Sequence, residues 1–228
     1  MKKFKLTFGL IAAMLLGFTS ASAQVTLSGG ADIVSSYVWR GAYTSAASFQ
    51  PGVELAAGNF AVGAWGSTPF DTTCSLSEVD YYVSYSLGNL GVTVTDYWWD
   101  GAAMPYFDGG HYYEAALSYS FGESFPLSLS VSTMFAGADT DVNGDQLYST
   151  YVEVGYPFEV GDVALDVAVG LTPQAGMYAD DFGVCNVSAT ASKAVAITDS
   201  FELPMFVSAI VNPAGDRAYL LFGTSLSF

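Results

Sequence analysis

Apolar and polar residues alternate with a period of two along most of the chain beyond residue 24, as in strands whose two faces meet different surroundings. In the first such segment Val25, Leu27, Ala31, Ile33, Tyr37 and Trp39 share one face, while Thr26, Ser28, Asp32, Ser36 and Arg40 share the other. A helix would scramble the two sets. The pattern recurs at 49–57, 60–67, 78–87, 90–99, 112–121, 127–135, 146–158, 163–171, 184–197, 201–211 and 217–228, which predicts twelve strands. It is cleanest at 78–87, where Val79, Tyr81, Val83, Tyr85 and Leu87 oppose Glu78, Asp80, Tyr82, Ser84 and Ser86.

The connections alternate too. Joins at 58–59, 88–89, 122–126, 159–162 and 198–200 are short, and those at 41–48, 67–77, 100–111, 136–145, 172–183 and 212–216 are mostly longer. Short turns on one rim, long loops on the other and an even strand count mark an all-β, transmembrane antiparallel up-and-down β-barrel of the bacterial outer membrane. Strands of about ten residues are also long enough to cross a bilayer when tilted. Aromatic residues finish the apolar face at both ends, as an interfacial girdle requires. Tyr37, Trp39, Tyr81, Trp98, Phe135 and Tyr148 are expected toward the long-loop rim, and Phe60, Tyr85, Tyr119, Phe121, Tyr156, Phe158 and Phe201 toward the short-turn rim. A soluble β-sandwich alternates as well, but its surface normally mixes both charge signs. Here the polar face is Ser, Thr, Gly, Tyr and carboxylate with almost no Lys.

Lys2, Lys3 and Lys5, the apolar run 6–18 and the small-residue site Ala21-Ser22-Ala23 read as a cleavable signal peptide at 1–23. Residues 24–228 are then one barrel domain, exported through the periplasm of a Gram-negative cell. No later apolar run reaches the roughly 20 residues that a spanning helix needs. The formal charge of −16 becomes −19 once the three leader lysines are gone, leaving Arg40, Lys193 and Arg217 as the only bases. So acidic a surface repels phosphate backbones, which excludes nucleic acid as a partner. Disorder is excluded as well, because 51% of the residues are hydrophobic and only 12% are charged, the reverse of a disordered composition. Cys74 and Cys185 permit one bridge at most in an oxidising compartment.

The stretch Ser35-Ser36-Tyr37-Val38-Trp39-Arg40-Gly41, the run Thr190-Ala191-Ser192-Lys193, the segment Ile197-Thr198-Asp199-Ser200-Phe201-Glu202-Leu203-Pro204 and the later Ile210-Val211-Asn212-Pro213 together resemble the TorF-type porins, a bacterial outer-membrane family of unknown function. The likeness is spread over nearly the whole mature chain. It implies an outer-membrane barrel that passes small solutes, and it carries over no functional residues. The last strand sets Leu220, Phe222, Leu226 and the terminal Phe228 in one register. It resembles the signal by which the barrel assembly machinery takes up its clients, with Leu221 where a polar residue is usual.

The candidate site is the lumen, where Asp32, Glu54, Asp80, Glu114, Glu153 and Asp166 from six strands are expected to face inward against Arg40 as the one clear base. Fixed carboxylates in a low-dielectric wall favour cations, so these seven residues are expected to line a pore for small cationic or neutral solutes. Arg40 is expected to bridge carboxylates near the outer mouth. Glu153 and Asp166, on adjacent strands, are expected to lie near one another, and Tyr82, Tyr112 and Tyr151 to narrow the passage. Lys193 falls on the apolar face with Val187, Ala189, Ala191 and Val195; a bulge or snorkelling to the short-turn interface would accommodate it.

The loop 139–145 has the opening spacing of a calcium loop, with Thr150 where the closing bidentate Glu belongs. It reads first as an acidic exposed loop, and second as a weak divalent-cation site on Asp139, Asp141, Asn143 and Asp145. Lipid hydrolysis would need His111, the only histidine, beside a nucleophilic Ser; the expectation is that there is no catalytic residue, no cofactor and no enzyme. The expected partners are outer-membrane lipid and lipopolysaccharide, the assembly machinery at Phe228, small solutes and divalent cations. A lipid-modifying enzyme and a non-conducting surface or scaffold barrel with acidic loops are the alternatives to a diffusion channel.

Overall fold

A computed structural model describes residues 25–71, 77–99, 110–199 and 201–227. Its strands are β1 (Val25–Val34), β2 (Tyr37–Trp39), β3 (Ala42–Ser45), β4 (Ser48–Ala57), β5 (Phe60–Pro69), β6 (Glu78–Leu87), β7 (Leu90–Trp98), β8 (His111–Ser120), β9 (Ser128–Gly137), β10 (Thr150–Val160), β11 (Val163–Thr172), β12 (Gly183–Thr198), β13 (Phe201–Asn212) and β14 (Arg217–Ser227). Twelve of them close into one antiparallel barrel, and β2 and β3 form a separate two-stranded hairpin. Closure is made by β1, which pairs with β4 along one edge and with β14 along the other, so no barrel edge is left unpaired. The leader at 1–23, Cys74 and Phe228 lie outside the described residues.

The short turns set the register. Gly58 and Gly88 take φ of +61° and +59°, the first central position of a II′ turn, where glycine is preferred. They bring Ala57 opposite Phe60 and Leu87 opposite Leu90. From there the alternation places every side chain. Tyr81, Tyr85 and Leu87 on β6, Val92 and Val94 on β7, and Leu220 and Phe222 on β14 stand exposed on the outer wall. Of the expected girdle, Tyr81, Phe135 and Tyr148 are exposed toward the long-loop rim, and Tyr85, Tyr119, Phe121, Tyr156, Phe158 and Phe201 toward the other.

Two expectations about the first segment fail. The strand ends at Val34 instead of running on to Arg40, because the chain bends at Ser35–Ser36. Ser35 N–H donates to the Phe222 carbonyl at 2.8 Å, and Phe222 N–H donates to Ser35 Oγ at 3.0 Å. Those two bonds end the ladder with β14, and the following hairpin turns into the barrel. Tyr37 and Trp39 therefore face inside and are not rim aromatics. Trp98 keeps its outward parity but is only 6% exposed, covered in part by His111. The segment expected to begin at 146 becomes β10 only at Thr150, after Tyr148 at φ +54°.

Candidate functional site: the lumen and the inserted hairpin

Burial along the inward faces is graded. Near the long-loop rim Gln50, Glu78, Asp80, Glu114, Met134, Tyr151 and Asn212 are buried. Near the short-turn rim Ser86, Ser118, Ser120, Ser128, Glu159 and Asp166 are exposed. The interior is thus a vestibule open at the short-turn end and narrowed at the other by the β2–β3 hairpin.

The hairpin tip is Arg40-Gly41, with φ of +49° and +80°. Two successive positive φ values suit a tight hairpin, yet an arginine held there costs about 1–3 kcal/mol and persists only where surroundings over-determine it. They do. Arg40 donates to both carboxylate oxygens of Glu114 on β8, at 2.5 and 3.0 Å, and to the Tyr178 hydroxyl at 2.5 Å. Its guanidinium carbon lies 4.5 Å from the Trp39 ring centroid and 4.7 Å from that of Tyr151, within cation–π range. Burial raises the Tyr178 hydroxyl well above its ordinary value, so it stays neutral and accepts from the guanidinium. Gly41 fits where no side chain could, since a Cβ there would collide with the Cys185 carbonyl oxygen. Its own carbonyl accepts from Asn212 Nδ2 at 3.1 Å.

Ring contacts also seat the hairpin. Tyr37 meets Trp65 on β5 at 5.5 Å, Trp39 meets Tyr97 on β7 at 5.5 Å, and Tyr43 stacks on Tyr219 of β14 at 6.2 Å. The hairpin therefore touches the wall on several sides.

All six expected carboxylates have inward parity. Asp32 lies between Gln50 and Ser225 in register. Glu54 accepts from the Tyr82 hydroxyl at 2.9 Å, and Glu153 accepts from the Tyr151 hydroxyl at 2.5 Å and from Asn186 Nδ2 at 3.3 Å. Arg40, expected to bridge carboxylates, is paired among the described residues with one, Glu114. Glu153 and Asp166 are not brought together: Glu153 stands opposite Gly170, and Asp166 opposite Pro157. Four positions at about 3.3 Å each put them about 13 Å apart along the strands. Glu78, read as inward but not singled out, is 2% exposed beside Asp80 at 6%; its place opposite Val79 and Tyr81 in the alternation was the available signal.

At the long-loop rim Asp139 turns into the protein, accepting from Ser149 N–H at 2.8 Å and Ser149 Oγ at 2.6 Å. Asp141 instead accepts from Asn143 N–H at 2.8 Å and Asp145 N–H at 2.9 Å, bonds that hold its carboxyl below the ordinary range. The four loop residues considered for a cation do not converge, and among the described residues no group of three or more His, Cys, Asp or Glu side chains is placed to hold a metal.

Three further residues have definite places. Lys193 remains on the outer face, opposite Met205, and reaches the short-turn rim, where Nζ pairs with Asp162 at 2.6 Å; no bulge reverses its parity. Cys185 sits at a register shift between β11 and β12 as a buried free thiol. His111 faces outward at the long-loop rim, its Nδ1 2.7 Å from Asp96 Oδ1. Asp96 was legible only as an acid among Val92 and Val94 on an apolar face.

No family model matches the chain, and no curated protein matches it. Among solved structures, OmpF of Salmonella typhi in complex with daunomycin aligns over 90% of this chain and 98% of that chain, at 9% identity and a TM-score of 0.42. A likeness of that strength carries no weight for fold or function; the closed barrel rests on its own strand pairing.

Proposed function

We propose that this chain is an outer-membrane barrel of the TorF type that lets small cationic or neutral solutes diffuse across, with the β2–β3 hairpin as its constriction. The observation that carries this reading is the division of charge: carboxylates from six or more strands face the lumen, and against them stand only Arg40, at the tip of the hairpin that narrows it, and Arg217, exposed at the long-loop rim opposite Asn212. Such a lining favours cations through the field that low-dielectric walls focus. The outer wall supports a membrane setting, because exposed Leu, Val, Phe and Tyr side chains cover it at a strand length that spans a bilayer. Outer-membrane lipid and lipopolysaccharide are then its surroundings, and the assembly machinery its route of insertion through the last strand, β14. No reaction and no cofactor belong to this reading.

The test is cell fractionation followed by solute uptake into proteoliposomes. The expected result is recovery in the outer-membrane fraction, with faster swelling in small neutral or cationic solutes than in anionic ones of the same size. Recovery elsewhere, or preference for anions, would overturn it.

A second reading, an enzyme acting on lipid, draws on the outward His111–Asp96 pair, which sits where a lipid headgroup would meet the rim. It requires that purified protein hydrolyse a lipid or lipopolysaccharide ester and that His111→Ala lose the activity while the barrel stays folded.

A further inference from the structure

Glu78 and Asp80 are two positions apart on β6 and so share its inward face. Both are more than nine-tenths buried. Among the described residues neither oxygen of the Glu78 carboxylate has a hydrogen-bond partner, nor does Asp80 Oδ1. Buried polar atoms are nearly always partnered, and each exception calls for a cause such as an ion.

No Arg or Lys among the described residues is paired with Glu78 or Asp80. Arg40 is committed to Glu114, Lys193 to Asp162, and Arg217 is exposed, donating to the Asp216 carbonyl. Outside the pair, the side chains nearest Glu78 among the described residues are neutral, and the charge that reaches Asp80 is that of another carboxylate, Asp96. The Trp99 indole, the Tyr37 hydroxyl and the Asp80 carboxyl all approach Glu78 without reaching hydrogen-bond geometry. In register, Ser67, itself 2% exposed, lies opposite Glu78, and Trp65 lies opposite Asp80. Removed from water, two adjacent anions without compensation repel each other and lose their solvation.

We propose that Glu78 and Asp80 bind one divalent hard cation of the calcium type. Two carboxylates balance its charge, and neutral oxygens of the kind that Ser67 and Tyr37 carry suit an ion that accepts irregular oxygen shells. Tyr37 belongs to the inserted hairpin, so the ion ties that hairpin to β6, as Arg40 ties it to β8. The site needs no conduction: a barrel that passes no solute would bind the ion equally well.

The experiment uses the mature chain folded in detergent micelles at pH 7.5, with Ca2+ alone as the probe in equilibrium dialysis and unboiled gel mobility as the check on folding. The expected result is one saturable Ca2+ per chain, bound at least tenfold more weakly by E78Q/D80N and unchanged in D141N/D145N at the rim loop. Should the double variant not fold, E78Q and D80N singly carry the same expectation. Tb3+ supplies a second readout: emission sensitised through the neighbouring indoles is expected in the wild type, displaced by Ca2+, and lowered in Trp99→Phe without loss of Ca2+ binding. Absence of saturable uptake by the wild type, as when the pair is neutralised by a shared proton, overturns the proposal. So does uptake that survives in E78Q/D80N or disappears only with the rim-loop variant.

Discussion

Arg40, on a hairpin tip, and Glu114, on β8, meet through a two-pronged contact of 2.5 and 3.0 Å between residues 74 positions apart. In the ring of strands β8 stands five places from β1, which leads into the hairpin. One ion pair thus crosses the lumen. Its geometry matches the fork that arginine offers a carboxylate, and its setting is dry, with the two side chains 14% and 3% exposed.

Removing the base should cost more than the pair is worth. Arg40→Met leaves Glu114 buried without its partner, a change of about 3–5 kcal/mol for a buried pair, read as a lower urea midpoint for the protein in lipid vesicles. Arg40→Met combined with Glu114→Leu should recover part of that loss, because no orphaned charge remains.

Gly41→Val cannot keep both its φ of +80° and its approach to the Cys185 carbonyl. The hairpin should withdraw and uncover the thiol of Cys185, which is 0% exposed. In a Cys74→Ser background, maleimide labelling of Cys185 should accelerate at least tenfold in this variant. An unchanged labelling rate would count against the hairpin's seating.

Neighbouring positions on β7 should respond very unequally to one charge. Val94 is 44% exposed on the outer wall, and Val94→Arg at the bilayer midplane should cost about 2–4 kcal/mol. Thr95 faces inward opposite Glu114, and Thr95→Arg should cost far less. Urea titrations of both variants in vesicles compare them directly; equal penalties would contradict a lipid-facing wall.

The exposed Asp162 carboxyl is held below the ordinary carboxylate range, first by the Lys193 hydrogen bond and then by its charge. Its folded value is lower than its unfolded one, so the pair's contribution is complete above the ordinary range and fades as pH falls through the folded value. Lys193→Gln should move the Asp162 midpoint upward in a carboxyl-detected NMR titration in micelles. A midpoint that stays in place would remove the pair from the account of this rim.

Most of the barrel was legible because period two is a strong constraint: once Gly58 and Gly88 fix the turns, each strand has only one way to face. That same period hid the hairpin. Tyr37 and Trp39 alternate with Val38 and Arg40 as barrel residues do, and only the bend at Ser35–Ser36 sends them inside. The turn at 161–162, which sets Val160 opposite Val163, separates Glu153 from Asp166. Parity alone does not fix distance along a strand. The inward turn of Asp139 is not legible in the loop 139–145 itself, because the hydrogen bonds that bury it come from Ser149, ten residues later.

Single-channel recording in a planar bilayer, under a KCl gradient, of the wild type beside Arg40→Ala tests the acid-lined, hairpin-narrowed channel most directly. A small cation-selective conductance in the wild type, with a larger and still cation-selective one in the variant, is the expected result. Anion selectivity, or silence from both proteins once their folding is verified, would contradict it.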